Sequence, residues 1–523
     1  MTKFYHLTIL LILLILSACS STQTDAANLL DISIQVDGQV IETTAEKGKT
    51  IDSIISAAGI AVSNLDIIEP AGYVVLTEPA SINITRVREE LLVEENTIPF
   101  VNQTVKNETL PEGQTLLIQP GKNGIQQVTT RVVYQDGIEN SRNVIKIETI
   151  QAAEPEIIMV GVQTPFATLP IEGKIAYLTT GNAWIMEGDT ANRRPVVTTG
   201  DLDGRVFSLS PDGNYLLFTR SEATETTGDI NSLWAINVSD PEAEAFSLKA
   251  KNIVHFAAWI PGQTNAITYS TVEPREAAPG WQANNDLYRV VFNSAEIITQ
   301  IDEIIGTNQG GDYGWWGTQY AWSPDGRRLA YARPDSVGLV DLESNTLVPL
   351  MALNAYTTHS NWAWVPSLGW SYDHSVLYTV NHEAGSTTGN QNFNLAAILP
   401  NESMVIPIIE NAGMFCYPAA SPNFGNDRYL VAYLQAIFPE KSDTSRYRLL
   451  VMDQDGSNRQ LLFPEEGSLG IDPQEIQWEP FSPDGAEKRI GAISGGNIFF
   501  INIDTGAYQQ ITGDGAVNLM DWR

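Results

Sequence analysis

Apolar and polar positions alternate with a period of two along most of this chain, in short runs separated by Gly, Pro, Asp and Asn. That is the pattern of half-buried β-strands joined by tight turns. One stretch recurs. Trp322-Ser323-Pro324-Asp325-Gly326-Arg327-Arg328-Leu329-Ala330-Tyr331 reads as strand, turn, strand. Proline presets φ for the second residue of a type I turn, aspartate suits the third, and glycine closes it. The hairpin returns at Leu209-Ser210-Pro211-Asp212-Gly213 and Phe481-Ser482-Pro483-Asp484-Gly485. Weaker copies stand at Trp259-Ile260-Pro261-Gly262, Trp370-Ser371-Tyr372-Asp373-His374 and Ala420-Ser421-Pro422-Asn423. Copies fall about every 50–60 residues, near the period of propeller blades.

A second element follows the hairpins: Ser232-Leu233-Trp234-Ala235-Ile236-Asn237, Asp286-Leu287-Tyr288-Arg289-Val290-Val291 and Asn497-Ile498-Phe499-Phe500-Ile501-Asn502. It reads as a third strand, and Asp504-Thr505-Gly506 as the turn into a fourth. The array begins out of phase. Strands are expected at Lys174–Thr179, Ala183–Met186 and Pro195–Thr198, with no hairpin strand before them. The missing first strand matches Ala516 to Arg523, which has Trp522 at the repeat's tryptophan position. Closing the ring with that strand removes the open sheet edges. This gives an all-β-dominated chain with a C-terminal seven-bladed β-propeller at 173–523. Six blades is the alternative, because the copies at Trp259 and Ala420 are degraded. The repeats resemble TolB-like propellers with WD-type repeats, a resemblance covering about two thirds of the chain; such propellers serve both as binding platforms and as parts of enzymes.

Upstream, residues 29–88 read as a small β-grasp-like domain. Ile32, Ile34 and Val36 form one strand, Asp37-Gly38 a turn, Val40-Ile41 a second strand, Thr50 to Ala58 a helix capped by Thr50, and Ser81 to Val87 a last strand. The pattern resembles the ubiquitin-like domain of resuscitation-promoting factors and related wall proteins. Residues 89–163 carry Ile98-Pro99-Phe100, Gly113, Gly121-Lys122-Asn123-Gly124, Asp136-Gly137 and Pro155 to Gly161. They resemble the G-five domain, a β-rich wall-associated module, with Gly113, Gly121, Gly124, Gly137 and Gly161 as its glycines. That family is associated with N-acetylglucosamine binding, adhesion and, in some members, zinc-dependent association. The segment has no His or Cys, so zinc is not carried over, and the glycines read as turn punctuation. Residues 164–172, with Pro165 and Pro170, read as a semi-rigid linker.

The first residues read as an address. Lys3 precedes the apolar run Leu7 to Leu16, which is too short to span a bilayer, and Leu16-Ser17-Ala18-Cys19 follows. The last four resemble the bacterial lipobox. The resemblance implies a signal peptide at 1–18, lipidation of Cys19, a tether at 19–28, and a membrane-anchored lipoprotein exported to the extracytoplasmic side, at the cell surface or in the periplasm. Cys416 would then have no disulfide partner. The formal charge of −32 repels polyanions, so nucleic acid is not an expected partner.

Alternation around a four-stranded meander puts all Ser-Pro-Asp-Gly turns on one face. Long second-to-third loops and blade connections share the other, and they carry Tyr313, Trp315, Trp316, Trp362, Trp364 and Trp281. Aromatic-rich loops on a rigid scaffold concentrate binding. These six are the candidate ligand-binding residues, for sugar rings or for partner proteins, and packing between blades is the competing role. Trp259, Trp322, Trp370 and Trp522 read as interblade core. No catalytic residue, cofactor or metal is expected: there is no Gly-x-Ser-x-Gly elbow, His382-Glu383 lacks a second histidine, and His359, His374 and His382 have no ligand spacing. The expected role is non-catalytic recognition or tethering of envelope proteins or peptidoglycan and other glycans. The alternative is a glycan-active enzyme using the propeller funnel.

Overall fold

A computed structural model describes residues 28–107, 110, 113–161, 166–222, 228–384, 391–424, 428–480 and 487–523. The lipobox, Cys19 and the hairpin turn at Phe481 to Gly485 lie outside the described residues. The chain forms two compact units: residues up to 101 together with 121–156, and residues 102–120 together with 157–523.

The first unit opens with β1 (Leu29–Val36), β2 (Gln39–Glu46), α1 (Ile51–Ala57), β3 (Ile67–Glu69) and β4 (Ala80–Thr85). The sheet order is β2-β1-β4-β3, with β1 parallel to β4, so α1 lies in the crossover of a β-grasp. Asp37 and Gly38 both adopt positive φ, as a two-residue hairpin with native twist requires. Thr50 caps α1 by accepting from the Ser53 amide, and Gly59 follows its end at φ +73°. Ile51, Ile54 and Ile55 of the helix close over Ile32, Ile34, Ile82 and Ile84. β3 was not among the expected strands. Next come β5 (Val87–Ile98), β6 (Asn102–Asn107), β7 (Thr115–Gln119), β8 (Gly124–Gln135), β9 (Ile138–Gln151) and β10 (Glu156–Gly161). They form two three-stranded sheets, β5-β8-β9 in the first unit and β6-β10-β7 in the second.

The second unit is dominated by a seven-bladed ring. Six four-stranded meanders occupy 202–251, 257–305, 319–352, 368–409, 419–463 and 477–510. They are blades 2 to 7. Blade 1 is built from β11 (Pro170–Thr179), β12 (Asn182–Val197) and the closing strand Val517–Trp522, which pairs antiparallel with β11 from Ile175↔Trp522 to Thr179↔Val517. The expected strands at Ala183 and Pro195 belong to the single β12, which passes Gly188 at φ +79°. Each neighbouring pair of blades shares one buried cluster, and blade 7 shares one with blade 1. The ring is closed.

Local chemistry explains the repeat. The buried serines Ser210, Ser323 and Ser371 each turn a hydroxyl toward the turn aspartate. The same oxygens accept the amides of Tyr215, Arg328 and Val376, where the second strands begin. Ser421 accepts from the Leu430 amide in the same way. The repeat tryptophans bury their rings between blades and donate Nε1–H at the interface: Trp259 to the Ser208 carbonyl, Trp322 to Thr268 Oγ1, Trp370 to the Ala321 carbonyl and Trp478 to the Ala419 carbonyl. Gly326 is required twice over. Its φ is +67°, and a Cβ there would stand 1.9 Å from the Pro261 carbonyl oxygen of the preceding blade's turn.

Two expectations about the region before the propeller change. The linker reading fails at its second half, because Leu169 and Thr190 exchange hydrogen bonds and Ile171 is buried in β11. The sheet β6-β10-β7 is also part of the propeller's unit. Val105, Ile157 and Met159 lie in one buried cluster with Ile175, Trp184, Phe500 and Trp522. The chain up to residue 163 is therefore not uniformly a segment apart from the ring.

Candidate functional site

The antiparallel meanders place second-to-third loops and blade connections at the end opposite the Ser-Pro-Asp-Gly turns. At that end, three of the six expected aromatics come together with two residues the sequence reading did not single out. Trp281 and Trp316 have ring centroids 5.5 Å apart, Trp315 and Trp316 5.9 Å with planes at 85°, and His255 lies 5.9 Å from Trp281 and 5.3 Å from Trp316. The Arg205 guanidinium sits 4.9 Å from the Trp281 ring centroid. All four rings are half-buried and Arg205 is exposed.

Each component is held in place by the backbone. Trp281 comes from a hairpin inserted between the second and third strands of blade 3, Val272–Pro274 paired with Trp281–Ala283. The Ala283 amide donates to the Trp315 carbonyl, tying that hairpin to the 306–318 connection. The connection is pinned beneath by a polar network. Buried Asn285 donates to the Gly314 carbonyl and accepts from Thr318, Asn308 donates back to the Asn285 carbonyl, and Arg333 donates to Thr318 and Asn308. Gly317 lies against the His255 ring, where a Cβ would be 2.5 Å from Cδ2. Arg205 follows a break in the first strand of blade 2. The register shifts between Leu202 and Phe207, and Gly204 sits at φ +72°. Such a bulge re-aims a side chain that a regular strand would direct elsewhere. The Asp203-Gly204 pair inside an otherwise alternating run was the available sequence signal for it.

Burial, reinforced by the nearby Arg205 charge, holds the His255 imidazole down at about 4, despite a hydrogen bond to the Trp316 main chain. His255 is therefore neutral at physiological pH, and the charge on the cluster is the arginine's. His255 Nε2 and Trp281 Nε1 are both buried without a hydrogen-bond partner. The repeat tryptophans described above satisfy their Nε1–H at blade interfaces, although Trp184 of blade 1 also lacks a partner.

The other three candidates lie elsewhere. Tyr313, at φ +53°, shares a 2.8 Å hydrogen bond with Thr357 Oγ1 and links the connections into blades 4 and 5. Trp362 is half-buried near Phe415, with ring centroids 6.4 Å apart. Trp364 is core: it is 1% exposed, packs 4.8 Å from Phe393 and donates Nε1–H to the Met414 carbonyl across the interface of blades 5 and 6. His382 faces the same core, whereas His374 lies at the turn end, 3.5 Å from Asp325. Among the described residues no group of three or more His, Cys, Asp or Glu side chains could hold a metal ion.

In the segment before the ring, Gly121 and Gly124 fill positions where a Cβ would strike the Phe100 ring at 2.3 Å and the Gln151 carbonyl oxygen at 2.5 Å. The glycine spacing and the two three-stranded sheets go together there. Residues 89–163 match the G5 domain family model. The resuscitation-promoting factor RpfB of Mycolicibacterium smegmatis is 23% identical over 140 residues, which is 27% of this chain and 39% of that protein; the chain thus spans well under half of the relative's length. The solved G5 domain of an IgA1 protease is 25% identical, covers 15% of this chain and 94% of its own, and has a TM-score of 0.13. The protein from Agrobacterium tumefaciens solved as a TolB is 17% identical, covers 56% of this chain and 90% of its own, and has a TM-score of 0.30. The propeller downstream of the G5 domain rests on its own strand pairing and closed ring of cores.

Proposed function

We propose that this is a lipid-anchored cell-envelope protein, held to a membrane through Cys19 on the extracytoplasmic side, whose propeller displays a binding face for an envelope component. Its role is recognition or tethering without chemistry of its own. The observation that carries this is the cluster of Trp281, Trp315, Trp316 and His255 on the loop end of a closed ring, half-buried and with two hydrogen-bonding groups unspent. The G5 domain upstream and the partial similarity to RpfB support an envelope setting. The charged side chain at the cluster is a cation. Glycoside hydrolysis ordinarily needs a pair of carboxylates flanking the bond, which favours binding over the enzyme reading.

The test is a pull-down with the full chain and with its Trp315→Ala/Trp316→Ala variant, against solubilised envelope proteins and wall fragments. Retained components should be lost with the variant at an unchanged melting temperature. Retention of the same components by both proteins would remove this face from the function.

A further inference from the structure

We propose that Arg205 and the indoles of Trp281, Trp315 and Trp316 form a subsite for a sugar residue bearing a carboxylate, with the guanidinium taking the carboxylate and the indoles the C–H face of the ring. The proposal rests on the reading of this end of the propeller as a binding face and names the class of ligand it takes.

Arg205 differs from the other ring-stacked arginines of the propeller. Arg220 lies over Trp234 but pairs with Asp201 at 2.9 Å. Arg333, near Tyr331, is spent on Thr318 and Asn308. Arg489, over Phe500, is buried in a bidentate pair with Glu479. Arg205 is exposed, and no carboxylate among the described residues pairs with it. The Trp281 ring, 4.9 Å from the guanidinium carbon, anchors the group, and its N–H donors, unpaired with any carboxylate among the described residues, suit a planar carboxylate. The strand break at Gly204 that aims this side chain is a local departure from sheet pairing, and such departures concentrate where a side chain is used.

The rest of the cluster narrows the ligand. His255 is neutral beside Arg205, so the site presents one cation. The chain's charge of −32 opposes a polyanion at long range, but salt screens that field beyond about 8 Å. One carboxylate delivered to contact is favoured; a densely charged polymer is not. Indole rings attract the positively polarised C–H bonds of a pyranose, and three half-buried indoles stand together beside the guanidinium here.

Calorimetry and tryptophan fluorescence on the full chain test this with a glucuronic-acid-containing disaccharide and its carboxyl-reduced counterpart. The acid should bind at least about tenfold more tightly. Arg205→Gln should erase that difference without moving the melting temperature, and Trp281→Ala should weaken both sugars. Equal affinity for the two sugars, or an acid preference that survives Arg205→Gln, overturns the assignment. Tighter binding of N-acetyl-dialanine than of its amide, with neither sugar bound, makes the ligand a peptide carboxylate and likewise overturns it. If no probe binds while the Trp315/Trp316 variant still loses its envelope components, the ligand class falls and the binding face stands. If that variant loses nothing either, both fall.

Discussion

Ile157 offers a direct test of whether half of the G5 domain is built into the propeller. It lies on β10, in the segment matched by the G5 model, and is 2% exposed within the cluster that also holds Ile175, Trp184, Phe500 and Trp522. Truncation to alanine deletes three carbons from that cluster. Buried Ile→Ala changes cost about 2–5 kcal/mol, from lost transfer energy plus the cavity left behind. With a urea m-value of about 3 kcal/mol/M, the upper end for small proteins, the midpoint should fall by about 1 M. The assay is selective because all 12 tryptophans lie at or beyond Trp184, so fluorescence reports the ring and not the segment carrying the mutation. Ile145→Ala, on the exposed strand β9 of the other unit, should leave the fluorescence midpoint within about 0.5 kcal/mol of wild type. An unmoved fluorescence midpoint for Ile157→Ala, with a separate early far-UV transition, would refute the coupling.

Two further outcomes follow from single residues. Gly326→Ala should cost about 2 kcal/mol or more, since it adds a backbone clash with the Pro261 carbonyl to the strain of a positive φ. Gly213→Ala, where the nearest atom to the new Cβ is the flexible Lys174 side chain at 3.7 Å, should cost only the conformational part, about 1 kcal/mol; equal losses in chemical denaturation would contradict the contact. His255 binds its proton more weakly folded, at about 4, than unfolded, at about 6.5. The unfolded state therefore takes up more protons, so its contribution is full above pH 6.5 and is lost as pH falls toward 4, by at most about 3 kcal/mol. His255→Gln should flatten the stability profile between pH 6.5 and 4, and an unchanged slope there would count against the burial of the neutral ring.

The ring was legible from sequence because its determinants are local. A buried serine hydroxyl, a turn aspartate and a positive-φ residue repeat within a few positions, and each repeat brings a tryptophan whose ring wedges against the blade before it. The closing strand was visible because Trp522 occupies that same wedge position. The site was only partly legible. Trp281, Trp315 and Trp316 stood out as aromatics in loops, but Trp364 looked the same and is core, because what separates them is the packing of blades 5 and 6 and not the loop that carries them. Arg205 and His255 sit singly in unremarkable sequence. They enter the cluster only through a strand bulge and a blade connection, both set by contacts far along the chain. The division of the G5 segment between two units was illegible for the same reason: the partners of Ile157 and Met159 lie in β11, β12 and the last blade.

The seam of the ring has a kinetic meaning. Ile175 and Trp522 pair across 522 − 175 = 347 positions. Bringing such distant segments together carries an entropic cost of about 5 kcal/mol from chain length alone. Non-local pairings of this kind form late and slow folding. Until the seam forms, β11 and the closing strand Val517–Trp522 present unpaired edges and the tryptophan face of an unfinished core, the features that recruit a second chain. The last step of folding in this protein is then also its window for aggregation, and the same seam is the natural place for the finished ring to begin to open.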